Sequence, residues 1–501
     1  MKKIFPTGLG ILLFVLTSNS TLWAQFLPYP QQMNWQGCIK PNNHTTSVLN
    51  EQVSSYYDYW RNKYLVPSVY TTNAYFVQGE NTGGSTADKG TSEGHGYGMI
   101  ITALMAGYDA NAKTYYDGLY KFYDNHRSSI NNNLMGWLID AQERGSGTYS
   151  SATDGDMDIA YSLLLAHYQW GSSGTINYLN EAKRMINAIK ASNINSSNRP
   201  NLGDWDNNAY HTRPSDWMFD HFQAFYNHTN DQAWINLRNN LYTIMNAIQG
   251  NQAAVSGLMP DFVTGSTPAP ANPNFLEGPY DGAYYYNACR VPMRTVMDYA
   301  HYQNTSAKTA VQKMVTWIKT KTNNVPSAIR AGYYLNGDNL PVGGYQDAVF
   351  IAPFVAAAIC DAQHQAYLNT GWNLIRNMKS NYFSDTFNLL AMLFITGNWW
   401  IPDETLLQLN LSPNAIPHDK SSSEVQQFPN PFQDKITLSC FSTDKPTNVV
   451  LTDLSGRALL QKEWDSAASQ LEFETSELSE GIYFIRFSTN TQVHTLKVIK
   501  Q

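Results

Sequence analysis

Charge is what this chain has least of. Only 15% of its 501 residues are Asp, Glu, Lys or Arg, while 43% are hydrophobic. That balance belongs to a globular protein with a sizeable core and excludes the disordered class. The formal net charge of −7 gives no basic excess, so nucleic acid is not expected as a partner. Neutral sugars remain, and so does a cationic polymer. Cysteine is nearly absent too. Cys38, Cys289, Cys360 and Cys440 are scattered. Their spacing suggests no metal site and assigns no disulfide. No metal or cofactor is expected. Beyond the N-terminus no apolar run is long enough to span a membrane.

The N-terminus itself reads Met1-Lys2-Lys3, then an apolar stretch over Leu9–Leu16, then Leu22-Trp23-Ala24-Gln25. This is the pattern of a secretory signal peptide over residues 1–24 with cleavage after Ala24, although Leu22 is larger than such sites favour. What the chain has in abundance is rings: 32 tyrosines, 13 tryptophans and 21 phenylalanines. Sugar-binding clefts stack rings on pyranose faces, but large cores use the same residues.

The most unusual stretch is Thr91–Met99, Thr-Ser-Glu-Gly-His-Gly-Tyr-Gly-Met. Glu93 sits among Gly94, Gly96 and Gly98, just before the apolar run Met99–Ala106. Thr91 or Ser92 is a plausible N-cap for a buried helix there. A helix start favours an ionised carboxylate. A general acid must keep its proton, so Glu93 can do that work only if burial or a neighbouring negative charge opposes the helix. The alternative is an ordinary first-turn acid.

From Gln25 to Pro402, helical patterns of ten to twenty residues alternate with Gly/Asn/Ser/Asp-rich loops. Expected helices are 54–64, 97–108, 113–126, 156–170, 178–191, 216–227, 231–249, 290–302, 307–320, 349–361 and 382–394. About a dozen helices of this kind suggest an all-α toroid of helical hairpins. The texture changes over residues 403–427, a polar linker. After it come Phe428-Pro429-Asn430-Pro431-Phe432 and short alternating runs at 435–440, 448–453, 458–462, 470–475, 482–488 and 495–499. These read as a small all-β sandwich over residues 428–501.

That tail resembles the C-terminal sorting domain of the type IX secretion system. The resemblance rests on Phe428–Phe432, Leu451-Thr-Asp-Leu-Ser-Gly-Arg457, Leu478-Ser-Glu-Gly-Ile-Tyr483 and the final Leu496-Lys-Val-Ile-Lys500. It implies the type IX secretion machinery as a partner and delivery to the cell surface or the medium. An adhesion or carbohydrate-binding module is the alternative.

Three more stretches carry acids beside rings. Ala152-Thr-Asp-Gly-Asp-Met-Asp-Ile-Ala160 places three acids at a helix start. Asp154 and Asp158, four apart, share a face there, while Asp156 points elsewhere. Leu202-Gly-Asp-Trp205 is followed by Arg213-Pro-Ser-Asp-Trp217. Phe275-Leu-Glu-Gly-Pro-Tyr-Asp281 runs into Tyr284-Tyr-Tyr-Asn-Ala-Cys-Arg290-Val-Pro-Met-Arg294. Stacking rings, hydroxyl partners and a paired acid and base are what a polysaccharide cleft needs. Each stretch alone could be structural; together they are hard to explain that way.

These residues resemble glycoside hydrolase family 8 across nearly all of 25–402, most strongly at Ser92–Met99 and Ala152–Ala160. The resemblance implies an (α/α)6 barrel and inverting, endo-acting hydrolysis of β-1,4-linked or mixed-linkage glycans. It casts Glu93 as general acid and Asp154 as the carboxylate that orients the sugar. Tyr97, Trp137, Trp205, Arg213, Trp217 and Arg290 become expected cleft residues. One position departs. Much of the family has an Asp that activates water where this chain has Asn287, and an amide cannot take that proton. A branch containing chitosanases and lichenases looks the same and draws a Glu base from just upstream. Glu277 is then the candidate base, with Asp281 second, and Asn287 becomes a substrate-side residue. The Asn287 branch tilts the expected substrate toward chitosan. The alternatives are an endo-β-glucanase and a non-catalytic glycan-binding surface protein. A monomer is expected.

Overall fold

The computed structural model describes residues 26–79, 88–404 and 425–500, the last without 430–431, 441–447, 454–456, 466 and 489–492. The expected signal peptide and nearly all of the expected linker lie outside the described residues, as do parts of the two tail motifs at 428–432 and 451–457. The described residues form two compact units, one within Gln25–Lys420 and one within Ser421–Gln501.

Twelve α-helices are found among the described residues of the first unit. They are α1 (Thr46–Tyr64), α2 (Ser92–Leu104), α3 (Ala112–Asp124), α4 (Thr153–Trp170), α5 (Tyr178–Ser192) and α6 (Phe219–Thr229). Then come α7 (Ala233–Asn251), α8 (Val291–Tyr302), α9 (Thr305–Lys321), α10 (Ala348–Ala357), α11 (Gln365–Ile375) and α12 (Tyr382–Ile395). Each even-numbered helix packs on the next even one, and α12 packs back on α2. The odd-numbered helices lie on them: α3 on α2, α5 on α4, α7 on α6, α9 on α8, α11 on α10, and α1 on α12.

Sequence explains this division. Helix α10, Ala-Val-Phe-Ile-Ala-Pro-Phe-Val-Ala-Ala, is apolar all round and every residue is buried, as an inner helix requires. Helix α5 buries only one stripe, including Tyr178, Ala182, Met185, Ile186 and Ile189, and turns Lys183, Arg184 and Lys190 outward. Each fully buried Leu, Ile or Met on these faces contributes about 1.5–3 kcal/mol.

Periodicity located most helices but not their ends. Helix α1 begins at Thr46 rather than residue 54, because Thr45 caps it through the Val48 amide and its first turn carries polar residues. Helix α11 was not expected. Its buried residues Tyr367, Leu368, Gly371, Trp372 and Ile375 keep a helical period, but Gln, Asn and Thr between them dilute the pattern. The helix expected over 349–361 ends at Ala357 and continues as a 3-10 turn, Ala358–Cys360.

Two devices position the site. The strand Gly90–Thr91 pairs antiparallel with Leu138–Ile139, which fixes how the chain enters α2. Glycines then let the first turns of α2 and α4 touch. A Cβ on Gly96 would lie 2.8 Å from the Asp158 Cβ, and one on Gly155 would lie 2.4 Å from the Ser92 hydroxyl oxygen. Nothing larger than hydrogen fits either place.

The second unit is two antiparallel sheets. One has the order 458–463, 448–452, 481–488, 493–500; the other has 470–474, 435–440, 425–428. Phe432, Ile436, Leu438, Val449, Leu451, Phe473, Ile485 and Val498 fill its core. The strand Val425–Phe428 begins inside the segment expected as linker and pairs with Lys435–Cys440.

Candidate active site

Thr91 caps α2, its hydroxyl accepting the Gly94 N–H at 3.3 Å, so Glu93 stands in the first turn. Its carboxyl is largely enclosed, 18% exposed. Arg290, just before α8, donates to Glu93 Oε2 at 2.5 Å and to Asp154 Oδ2 at 2.9 Å through the same Nη1. Tyr382 at the start of α12 donates to Glu93 Oε1 at 3.1 Å. Burial pushes the Glu93 carboxyl up to about 7; Arg290 opposes this and the nearby Asp154 charge adds to it. Asp154 goes the other way. Burial raises it, but Arg290, Arg213 and the Gly155 N–H more than compensate, and it stays below the usual carboxylate range.

Asp158, one turn on, is bound by Arg294, one turn after Arg290, at 2.6 and 3.0 Å. Two aspartates four apart on α4 thus meet two arginines four apart around the start of α8. Asp156 points away, as its place in the helix requires, and accepts the Met135 amide at 2.9 Å. His95 is buried with a ring nitrogen 2.8 Å from the Leu119 carbonyl, and burial drives its pKa down to about 3. It is a packing residue.

Across from Glu93 lies the loop that carries Glu277. Arg213 donates to Glu277 Oε1 at 3.0 Å and Asn287 Nδ2 donates to Oε2 at 2.7 Å. The Glu277 side chain is 47% exposed, so water reaches it. The Asn287 oxygen accepts from Arg290 Nη2 at 3.1 Å. A continuous series therefore runs Glu93, Arg290, Asn287, Glu277. An enclosed carboxyl with a raised pKa and a second carboxyl open to water, set apart by a guanidinium and an amide, can give a proton at one point and take one at another.

This chain is matched by the model of the glycosyl hydrolases family 8 over residues 48–397. It belongs to that family. Residues 426–501 match a secretion system C-terminal sorting domain, which directs the protein through the type IX route to the cell surface or extracellular space. An endoglucanase of Bacillus sp. (strain KSM-330) is 49% identical over 405 residues, 79% of this chain and 87% of its own. A beta-glucanase of Niallia circulans is 42% identical over 381 residues, 74% and 91% of the two chains. Among solved structures, the apo beta-1,3-1,4-glucanase from Paenibacillus sp. X4 matches with a TM-score of 0.72 and 42% identity. That match covers 75% of this chain and 100% of the other. Rex8A from Paenibacillus barcinonensis, complexed with xylose, is 16% identical with a TM-score of 0.60 over 72% and 96% of the two chains, and shares the fold alone. The protein is a glycoside hydrolase, which sets aside the non-catalytic reading.

The family 8 residues named from sequence fall into two groups. Glu93, Asp154, Tyr97, Arg213, Glu277, Asn287 and Arg290 converge; the Tyr97 hydroxyl is 3.2 Å from Arg290 Nη1. Trp137 is half-buried beside them, its carbonyl accepting the Ser92 N–H at 2.8 Å. Trp205 is 46% exposed on a loop held to the start of α4 by Asp204, which accepts the Ser151 N–H at 2.8 Å. Four expected substrate contacts fail. Tyr97 and Arg290, 0% and 1% exposed, touch the acids and each other rather than a sugar. Trp217 is fully enclosed, with its indole N–H on the Thr212 hydroxyl at 2.9 Å, so it offers no face to a sugar. Asp281 is 3% exposed and accepts the N–H groups of Leu276, Glu277 and Gly278 at 2.7–3.0 Å. Its oxygens fold the loop and are not free to serve as base or sugar contact.

Sequence reasoning missed Tyr382, Ser215, Asp216 and Asp261. Ser215 accepts from Arg290 Nη2 at 3.0 Å and donates to Asp216 at 2.9 Å. Burial pushes Asp216 up to about 7 against the pull of Arg213. Ser215 and Asp216 lie inside a stretch already marked by its Arg and Trp, whereas nothing local marks Tyr382 or Asp261. Among the described residues, no group of three or more His, Cys, Asp or Glu side chains is arranged to hold a metal.

Proposed function

We propose that this protein is an endo-acting, inverting β-glucanase that cleaves β-1,4 bonds in mixed-linkage or cellulosic glucan. The observation that carries the chemistry is the pair of carboxyls, one enclosed and one open to water, at the two ends of the Arg290–Asn287 bridge. Glu93 gives its proton to the glycosidic oxygen as that bond breaks. Glu277 takes a proton from water, whose oxygen bonds to the anomeric carbon from the opposite face. The products are a new non-reducing end and a hemiacetal of inverted configuration, and two proton transfers balance the step. Asp154, held ionised, orients the sugar between them. Trp137, Trp205 and Arg213 line the cleft, while the enclosed Tyr97 and Arg290 hold the acids in place.

The relatives named endoglucanase, beta-glucanase and beta-1,3-1,4-glucanase support glucan as substrate. The expectation of chitosan, drawn from Asn287 alone, gives way to this reading. The packing of α12 back on α2 supports a closed (α/α)6 barrel, with the catalytic unit ending near residue 402 and the sorting unit starting at Val425. Reducing-sugar release from barley mixed-linkage glucan, carboxymethylcellulose, chitosan and xylan tests the substrate. Barley glucan should be turned over at least about tenfold faster than chitosan, a difference of roughly 1.4 kcal/mol in barrier. Faster turnover of chitosan would overturn the assignment. Proton NMR of the first products should show the α-anomer.

A further inference from the structure

Asn287 occupies a position that the chemistry above leaves without a role of its own. It is 7% exposed, and its side chain is spoken for on both ends. The amide nitrogen donates to Glu277 Oε2 at 2.7 Å and lies 3.5 Å from Asp261 Oδ2. The amide oxygen accepts from Arg290 Nη2 at 3.1 Å, and the Asn287 main-chain carbonyl accepts from Arg290 Nε at 3.2 Å. The orientation of the amide is therefore forced. Turned over, it would set an NH2 against a guanidinium and an oxygen against two carboxyl oxygens. Of the small side chains only an amide donates at one end and accepts at the other. An Asp here could still accept from Arg290, but it could not donate to an ionised Glu277.

Asp261 fixes where that amide sits. It is 3% exposed, and its Oδ1 accepts the N–H of Tyr285 at 2.9 Å and of Ala288 at 2.7 Å. These bonds clamp the turn that carries Asn287 on both sides.

We propose that Asn287 is a positioning residue that orients the Glu277 carboxylate and ties it through Arg290 to Glu93, with Asp261 anchoring the turn. This rests on Glu277 being the base. It also explains why the amide and an upstream Glu occur together here: a carboxylate at 287 would stand against the base itself. The titratable and charged groups around Glu277 are Arg213 on its Oε1, Asp281, which accepts the Glu277 N–H, and beyond Asn287 the carboxyl of Asp261, which burial pushes up to about 7.

The test is the pH profile of kcat/KM on barley glucan for Asn287→Asp, Asn287→Ala and Glu277→Ala. Asn287→Asp puts two carboxyls within hydrogen-bonding distance, and such a pair shares a proton. Its acid limb should move up by about one pH unit or more, so that activity at pH 5 falls at least about tenfold relative to pH 7. Asn287→Ala adds no charge. It should lower kcat by about 10–150-fold through the lost bond to a charged group, with KM changed far less. If the Asp variant melts early, the kcat loss of the Ala variant reads the proposal alone. Glu277→Ala inactive with an unmoved acid limb in Asn287→Asp, or with near-normal kcat in Asn287→Ala, overturns the positioning role and leaves the base. An active Glu277→Ala overturns the base itself.

Discussion

Replacing Glu93 by Gln removes one proton and one charge and almost nothing else. The amide oxygen takes the Oε2 place and accepts from Arg290, while its NH2 donates to the Tyr382 hydroxyl, which can turn its own hydrogen to Thr91 at 3.2 Å; Arg290 stays paired with Asp154 at 2.9 Å. Binding should survive, with KM within about threefold. Turnover on polymer should fall by roughly 10²–10⁴-fold, the range for a lost general acid, or about 2.7–5.4 kcal/mol of barrier. The leaving group decides whether the loss is of proton donation. An aryl glucoside with an acidic phenol leaves unaided, so Glu93→Gln should approach wild-type rates there. The pH dependence has a definite sign. Glu93 must be protonated to act, and burial, opposed by Arg290 and helped by Asp154, places its pKa near 7. Wild-type kcat/KM should therefore fall as pH rises through about 7, and that limb should vanish in Glu93→Gln assayed on the activated substrate. Asp216 is also raised to about 7 by burial, so Asp216→Asn is the control and should keep the limb. Equal losses on polymer and aryl substrate, or a limb that follows Asp216, would refute the reasoning.

Arg290→Met leaves Glu93 and Asp154 facing each other without their shared cation. It should cost at least about 10³-fold in kcat and about 3–5 kcal/mol of stability, measured by kinetics and by urea unfolding. Trp205→Ala, at a 46% exposed ring, should raise KM by about 5–30-fold with little change in melting, an effect of roughly 1–2 kcal/mol. Trp217→Ala should do the reverse, costing about 3–5 kcal/mol in folding because the ring is fully enclosed. A chain stopped after Pro417 should fold and hydrolyse glucan at the full-length rate but remain inside a host that uses the type IX route, as cell fractionation would show.

The parts of the site that were legible in sequence are those that depend on near neighbours. Glu93 and Asp154 stand at helix starts whose caps and glycines are local, and the strings around them announce the crowding that the structure contains. Among the inner helices α10 was legible because nothing polar interrupts it, while α4 and α8 kept their apolar period in spite of the buried Asp158 and Arg294. What sequence could not give is direction. Arg213 and Trp217 belong to one short string around the 3-10 turn Pro214–Asp216, yet one reaches Glu277 and the other turns into the core. Asp281 carries a charge next to the right loop, but three backbone amides consume it, and backbone partners leave no mark on residue identity. Tyr382 meets Glu93 only because α12 packs on α2, a contact spanning 289 residues.

The division of labour between Glu93 and Asp154 follows from what surrounds the guanidinium they share. Arg290 Nη1 lies 2.5 Å from one carboxyl and 2.9 Å from the other, so distance to the cation would favour an ionised Glu93. The outcome is the opposite, and the remaining partners decide it. Asp154 accepts a backbone N–H, from Gly155 at 2.9 Å, at the start of a helix, and feels Arg213 as a second cation. Each of these favours the charged form. Glu93 has a single phenol donor besides Arg290 and looks across at the Asp154 charge. Two carboxyls on one cation cannot both ionise cheaply in an enclosed site, so the one with more hydrogen-bond and cationic partners takes the charge and the other is pushed toward its protonated form. The glycines that let α2 and α4 touch thus do more than permit packing. They enclose Glu93, whose burial is the main cause of its raised pKa, and bring a charged Asp154 close enough to add to that rise against the pull of Arg290 and of the helix start.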